Sequence, residues 1–141
     1  MFRTSLIIST YNWPEALQLC LKSVLRQKLM PGEIIIADDG SDARTKSVVD
    51  QFKDIAAVPV KHVWHSDEGF RLAAIRNKAI AAANGDYIIQ IDGDMILHPY
   101  FIKDQHNFSR ALSQPNFSCA CMWASPFSFL FYIIYYDLLK L

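Results

Sequence analysis

The sequence predicts an α/β fold, a mostly parallel sheet with helices on both faces, and three observations carry that reading. Short apolar runs alternate along the chain with stretches of helical spacing, the order expected when crossover helices join parallel strands. The apolar runs are nearly continuous, as in strands buried on both faces, instead of alternating with polar residues. Thr10-Tyr11, Asp38-Asp39, His65 and Asp92–Asp94 all fall just beyond such runs, and carboxyl ends of strands are where sheets of this kind hold ligands. A chain of 141 residues suffices for one domain with a substantial buried core.

Residues 6–9 are apolar and β-branched, and Thr10-Tyr11-Asn12 and Pro14 follow, so strand, turn and helix come in succession. Over residues 14–28 the side chains Leu17, Cys20, Leu21, Val24 and Leu25 recur at three- and four-residue spacing until Pro31-Gly32 ends the pattern. Residues 33–37 form a second strand opening into Asp38-Asp39-Gly40-Ser41. A helix over 45–52, a strand over 59–64 and an alanine-rich helix over 70–84, closed by Asn84-Gly85, come next. On that last helix Leu72, Ile75, Ala79 and Ala83 make the buried stripe, while Arg71 and Lys78 share an outward face. Arg71 there either reaches a phosphate or is simply solvated. Residues 86–91 are a fourth strand, and a further helix begins just past Pro99.

The chain changes character after Arg110. Residues 111–136 hold no charged side chain, and residues 117–141 hold eight of the eighteen aromatics, so the expected division is 1–110 as a domain and 111–141 as an apolar aromatic tail of uncertain structure. An uncharged stretch of that length raises a membrane span, which Pro126 and the serines Ser113, Ser118, Ser125 and Ser128 argue against. A buried or interfacial segment, and a frameshift or truncation product, are the other readings. Fourteen basic residues balance fourteen acidic ones, so no nucleic-acid footprint is implied. Three cysteines without metal spacing fit a reducing compartment, and the first residues lack a signal peptide's apolar core and cleavage site. A cytoplasmic start is therefore expected.

Asp92-Gly93-Asp94 follows a strand. If the backbone stays extended, two-residue spacing aims both carboxylates to one side, and Gly93 lets the backbone come close to a ligand. Paired carboxylates suit Mg²⁺ or Mn²⁺, which take oxygen ligands and complete their shells with water and substrate phosphates. An isolated D-x-D is more often a solvated turn, and its place at the sheet edge is what favours the metal reading here. Asp38-Asp39-Gly40-Ser41 alone is an ordinary turn signature. One strand from the Asp92 loop, its carboxylate can accept the imide N–H of uracil, and Tyr11 either stacks on the same base or packs as a plain aromatic. His62, His65, His98 and His106 show no helix-spaced metal pair. His98, just past Asp94, is the one candidate for a ligand or loop role.

The ordered set Ser9-Thr10-Tyr11-Asn12, Asp38-Asp39-Gly40-Ser41, Arg76-Asn77, Gly85-Asp86-Tyr87 and Asp92-Gly93-Asp94 closely resembles the nucleotide-binding half of family 2 glycosyltransferases, over roughly residues 4–108. The segment Asp67-Glu68-Gly69-Phe70-Arg71-Leu72 resembles a bacterial subgroup that includes polysaccharide-type transferases. The resemblance implies a Rossmann-like GT-A fold, incomplete at the C-terminus, with residues 1–110 as the nucleotide-sugar-binding half. It implies a sugar-nucleotide donor, commonly UDP-linked, a Mn²⁺ or Mg²⁺ ion, a saccharide or lipid-linked acceptor, and transfer to a hydroxyl with inversion. Thr10 and Tyr11 would line the base pocket, Asp39 would bond uracil, Asp92 would lie by the ribose, and Asp94, with Asp92, would hold the metal. Arg76 and Asn77 would belong to the nucleotide site, Arg76 alternatively pairing with one of its aspartates to fix the loop. The cytoplasm, with peripheral association at the inner membrane face left open, is the implied location.

The resemblance also implies a catalytic base in an acceptor-binding half well downstream. The carboxylates after Asp94 are Asp104 and Asp137, and neither matches it, so the base is unassigned. No Q-x-x-R-W element supports a processive polymerase. Two competitors stand beside the transferase: a catalytically incomplete remnant or interaction module that binds nucleotide without transfer, and a nucleotidyltransferase of similar architecture. The second lacks a G-x-G-x-x-G or G-x-x-x-x-G-K phosphate loop.

Overall fold

Strand pairing in the computed structural model, which describes residues 2–111, 119–121 and 132–134, gives a mixed sheet in the order β3-β2-β1-β4-β5-β6. The strands are β1 (Thr4–Thr10), β2 (Glu33–Asp38), β3 (Val60–Trp64), β4 (Tyr87–Asp92), β5 (Cys119–Cys121) and β6 (Tyr132–Ile134). The helices are α1 (Pro14–Leu25), α2 (Ala43–Ile55), α3 (Leu72–Ala81) and α4 (Phe101–Ala111). β1 to β4 are mutually parallel, β5 pairs parallel with β4, and β6 runs antiparallel to β5. The architecture is the expected parallel α/β sheet with helices on both faces. Other expectations for the tail lie outside the described residues, and no helix among the described residues is long and apolar enough to cross a membrane.

The continuous apolar runs are explained by two cores. Leu6, Ile8, Ile34, Ile36, Ile89 and Ile91 pack on one side with the α1, α2 and α4 side chains. Ile7, Ile35, Ala37 and Ile88 pack on the other with Ile75 and Ala79 of α3. Successive strand residues face opposite ways, so a strand covered on both sides is mostly apolar along its middle. Cys20 of α1 lies wholly inside the first core, and burial, with Asp94 adding to it, pushes its thiol up to about 12, which makes it an inert packing residue. Helices α1 and α2 carry the chain outward from β1 to β3 on one face. Helix α3, on the opposite face, brings it back to the other side of β1. Strand order therefore reverses between β1 and β4.

Several element boundaries differ from expectation, and three of the differences have a visible cause. α2 begins at Ala43, before residue 45, because the Asp42 carboxylate caps it by accepting from the Arg44 and Thr45 backbone N–H groups at 3.0 and 3.4 Å. α3 begins at Leu72, after residue 70, because Gly69 adopts φ +84° and the Arg71 N–H turns away to Asp39. Arg71 thus precedes the helix, its guanidinium pairs with Glu68, and it does not share an outward helical face with Lys78, whose ammonium turns to His65. β1 gains two residues at its start, since Thr4 and Ser5 pair with Tyr87 and Ile88 of β4.

The amino ends of three strands are tied by one carboxylate. Glu33 of β2 accepts from Ser5 Oγ of β1 at 2.7 Å, from the Asn84 backbone N–H before β4, and from Lys61 Nζ of β3 at 2.8 Å. Burial alone would raise its pKa, but the Lys61, Asn84 and Ser5 hydrogen bonds outweigh burial and hold it at about 2. A carboxyl group depressed on folding contributes stability above its unfolded pKa and loses it as pH falls through the folded one. For Glu33 that window runs from the ordinary glutamate range, about 4.5, down to about 2. Denaturant titrations at pH 6 and pH 3 should therefore show the wild-type chain losing on the order of 2 kcal/mol more than Glu33→Gln, whose amide does not titrate. Equal losses in the two proteins would disprove the tie.

Candidate functional site

At the carboxyl edge of the sheet, β1 and β4 diverge and leave a crevice of about 230 Å³ lined by Ser9, Thr10, Tyr11, Trp13, Asp39, Phe70, Leu72 and Asp92–Asp94, with Ala16 beneath. It lies where strand order reverses. Its floor is acidic and its rim aromatic. Tyr11 is 51% exposed, Trp13 57% and Phe70 89%, while Asp39 is only 3% exposed.

Backbone pairing sets the floor. The Thr10 carbonyl accepts from the Asp39 N–H at 3.0 Å, and the Ser9 carbonyl accepts from the Gly93 N–H at 2.7 Å. Asp92 ends β4 opposite Ser9, and the chain then turns, the Met95 N–H reaching the Asp92 carbonyl at 3.2 Å. The backbone does not stay extended through Asp94, so the two carboxylates meet in the crevice through a turn and not through strand spacing. Gly93 makes its closest approach to β1 itself: a Cβ there would sit 2.9 Å from the Ser9 carbonyl oxygen.

Each carboxylate is held differently. The Asp92 side chain pairs with Arg76 of α3, whose Nε also donates to Ser9 Oγ at 3.0 Å. Asp39 accepts at one oxygen from His65 Nε2 at 2.6 Å and at the other from the Arg71 N–H at 3.0 Å. Asp94 is exposed and has no hydrogen bond or ion pair among the described residues. Tyr11 donates its hydroxyl to Asp67 at 2.9 Å, and that hydrogen bond leads the influences that raise its phenol above the ordinary tyrosine value. The same bond ties the Ser66–Arg71 loop, carrying Phe70, to the end of β1.

Thr10, Tyr11, Asp39, Asp92 and Asp94 thus come together in one crevice. Arg76 stands behind Asp92 instead of lining it, and Asn77 is exposed on α3 outside it. His98 also lies apart, because Gln27 Nε2 anchors its carbonyl at 2.8 Å and its ring sits 5.8 Å from that of Tyr100. Asp104 is exposed on α4 and does not border the crevice, and Asp137 is outside the described residues. The Asp39–His65 pair, Trp13 and Phe70 are additions that sequence reasoning did not assign. His65 was visible only as a residue at the end of β3.

Among the described residues no Lys or Arg lines the crevice, yet three carboxylates do. Such a site attracts a cation before it accepts an anion. No group of three or more His, Cys, Asp or Glu side chains among the described residues is placed to hold a metal unaided. An ion bound here would take the rest of its shell from water and ligand oxygens, and this oxygen-only donor set fits Mg²⁺ or Mn²⁺.

Fold and crevice together define a GT-A-type α/β domain with its ligand crevice at the switch point. The sequence model of the family described as Glycosyl transferase family 2 matches residues 5–124, and the chain belongs to that family. It is 33% identical over 100 residues to chondroitin synthase of Escherichia coli, covering 70% of this chain and 14% of that protein. It is 31% identical over 99 residues to hyaluronan synthase of Pasteurella multocida, covering 70% of this chain and 10% of that protein. The chain therefore spans only a small part of these relatives' length. Among solved structures, residues 1–349 of S. aureus TarS in complex with UDP-GlcNAc match with a TM-score of 0.65 at 24% identity, over 78% of this chain and 32% of that one. The mannosyltransferase PcManGT from Pyrobaculum calidifontis, in complex with GDP-Man and Mn²⁺, matches with a TM-score of 0.68 at 21% identity, over 85% and 35%. These likenesses establish the shared fold.

Placing a methyl group at residue 93 should separate β4 from β1. Gly93→Ala is expected to lose about 1–3 kcal/mol of stability, read as a lower urea midpoint at unchanged slope. An unaltered midpoint would show that the close backbone contact does not constrain this turn.

Proposed function

We propose that the crevice binds a nucleotide-activated sugar, UDP-linked, together with Mn²⁺ or Mg²⁺, and that the chain is the donor-binding part of a metal-dependent, inverting glycosyltransferase. The observation that carries this is the contrast within the acidic turn: Asp92 is fixed by Arg76, while Asp94 is exposed in the same crevice without a partner among the described residues. On this reading Asp39 accepts the uracil imide N–H, Thr10 and Tyr11 border the base, Asp92 lies by the ribose, and Asp94, with the free oxygen of Asp92, holds the ion. Arg76 acts through Asp92, and Asn77 has no part in the described crevice. The bound cation would offset the charge of a diphosphate leaving group. The chain's own residues orient the donor: the base is held in the aromatic-edged end and the sugar's anomeric carbon is left open to an acceptor hydroxyl, saccharide or lipid-linked. Relatives named as polysaccharide synthases and neighbours crystallised with UDP-GlcNAc or with GDP-Man and Mn²⁺ support the reading. Cytoplasmic residence with contact at a membrane face belongs to the same proposal.

A second reading rests on the carboxylates themselves. Asp39 and Asp92 are hydrogen-bonded and Asp94 is assigned to the ion, so no crevice carboxylate among the described residues is left to take the acceptor's proton. This favours nucleotide binding without transfer by the described residues alone. Calorimetric titration of UDP into the full chain, with and without Mn²⁺, tests the first reading: affinity should rise with Mn²⁺, and Asp94→Asn should remove at least about tenfold of that gain. UDP binding indifferent to Mn²⁺ and to Asp94→Asn would overturn it. Release of UDP from UDP-sugars in the presence of candidate acceptors then separates the readings, since turnover by this chain excludes the binding-only one.

A further inference from the structure

Behind Asp39 lies a polar relay that the proposed donor site does not by itself require. His65, buried at the end of β3, offers Nε2 to Asp39 at 2.6 Å and Nδ1 to Lys78 Nζ at 3.3 Å. A lysine ammonium has three donors and no acceptor, and an ionised carboxylate has acceptors only. Both neighbours therefore demand the same form of the ring: Nδ1 must accept from Lys78, so Nε2 carries the hydrogen and donates it to Asp39. The second carboxylate oxygen is occupied by the Arg71 N–H at 3.0 Å. One donor on each oxygen, from β3 and from the loop before α3, fixes the plane of the carboxylate, leaving it two further acceptor positions and no donor. Asp39 is 3% exposed and lines the crevice, so its remaining lone pairs are what a ligand meets there.

We propose that His65, oriented by Lys78, is a positioning residue that presents Asp39 to the crevice as a fixed acceptor and thereby selects a pyrimidine whose ring nitrogen carries hydrogen over one whose ring nitrogen is bare. Uracil presents N3–H to such an acceptor. Cytosine presents a lone pair at the same atom, and a lone pair facing a carboxylate oxygen is repelled and leaves both groups unsatisfied. Without His65 only the Arg71 N–H holds Asp39, and the carboxylate is free to turn about its own Cβ–Cγ bond. The acceptor then loses its direction, and with it the discrimination. The inference rests on the reading of the crevice as a nucleotide site.

The test is calorimetric titration of UDP and CDP, each with Mn²⁺, into the full-length wild-type chain and into His65→Ala, His65→Gln and Lys78→Met. Wild type should prefer UDP. His65→Ala should weaken UDP about tenfold and narrow the UDP-to-CDP ratio by a similar factor, the loss expected for one charge-assisted hydrogen bond. His65→Gln should recover most of the ratio, because its amide nitrogen occupies the place of Nε2 and donates. Lys78→Met, at an exposed position, should narrow the ratio severalfold with the fold intact by circular dichroism. A purely structural role would weaken UDP and CDP equally, and an unchanged ratio in His65→Ala overturns the proposal. Should His65→Ala not fold, an unchanged ratio in Lys78→Met overturns it. Wild type binding UDP and CDP alike refutes the selection while leaving the donor site standing. Wild type binding neither refutes the donor site itself, and the inference with it.

Discussion

The two-sided pairing of β1 is the constraint on which the rest of the structure depends. Its seven residues are all buried, with β2 along one edge and β4 along the other. A strand so enclosed must satisfy its backbone groups through its neighbours, because water is absent. At its carboxyl end the demand falls on two successive carbonyls. Ser9 points to one side and takes the Gly93 N–H; Thr10 points to the other and takes the Asp39 N–H. The residues that follow β2 and β4 are thereby drawn to the last turn of β1 before the chains part. The crevice between them, and the carboxylates at its floor, follow from completing the hydrogen bonds of one buried strand.

Bringing Asp39, Asp92 and Asp94 to one place concentrates negative charge, and helix α3 resolves most of it. This helix packs across β1, β2 and β3, so its two basic residues, Arg76 and Lys78, leave it in different directions. Arg76 reaches toward β1 and β4, where it takes Ser9 and Asp92. Lys78 reaches toward the end of β3, where His65 passes its influence to Asp39. Positions two apart on a helix lie on nearly opposite sides. That separation lets one element serve two aspartates without placing a cation in the crevice. Asp94 is the one left unserved among the described residues, and a charge without such a partner beside two that have one is the most chemically available of the three.

Much of this was legible in the sequence because it depends on local pattern. The strands announced themselves as apolar runs, since burial on both faces favours apolar residues at either parity. The carboxyl-end positions of Thr10, Asp39 and Asp92 followed from strand order alone. The ends of α2 and α3 were less legible for different reasons. Asp42 was a readable cap that the apolar spacing, beginning only at Thr45, obscured. The start of α3 depends on a contact between distant segments, the Arg71 N–H and Asp39, that no local pattern encodes. The same holds for His65: it and Asp39 are far apart in sequence, and only the parallel register of β2 and β3 sets their loops side by side. Asp92-Gly93-Asp94 shows the converse. Its residues pointed to the right place, but through a turn whose glycine is demanded by β1 as much as by any ligand.

The proposed reading of the crevice also separates holding a donor from transferring its sugar. Large aromatic side chains exposed around an acidic floor are unfavourable in water unless something covers them, and Tyr11, Trp13 and Phe70 offer flat apolar surface in the same crevice in which Asp92 and Asp94 offer charge. A ligand that meets both kinds of surface would have a planar ring and an anionic group carrying a cation, and the nucleoside diphosphate of the proposed reading has that make-up. Proton removal from an acceptor asks for something different: a carboxylate near the anomeric carbon that is not already committed. Among the described carboxylates of the crevice, Asp92 is committed to Arg76 and Asp39 to His65 and Arg71, and Asp94 is the one the proposed reading gives to an ion. On the proposed reading, recognition of a donor would follow from β1 and the loops it organises, whereas the transfer step would ask for a group that these loops, as described, do not supply.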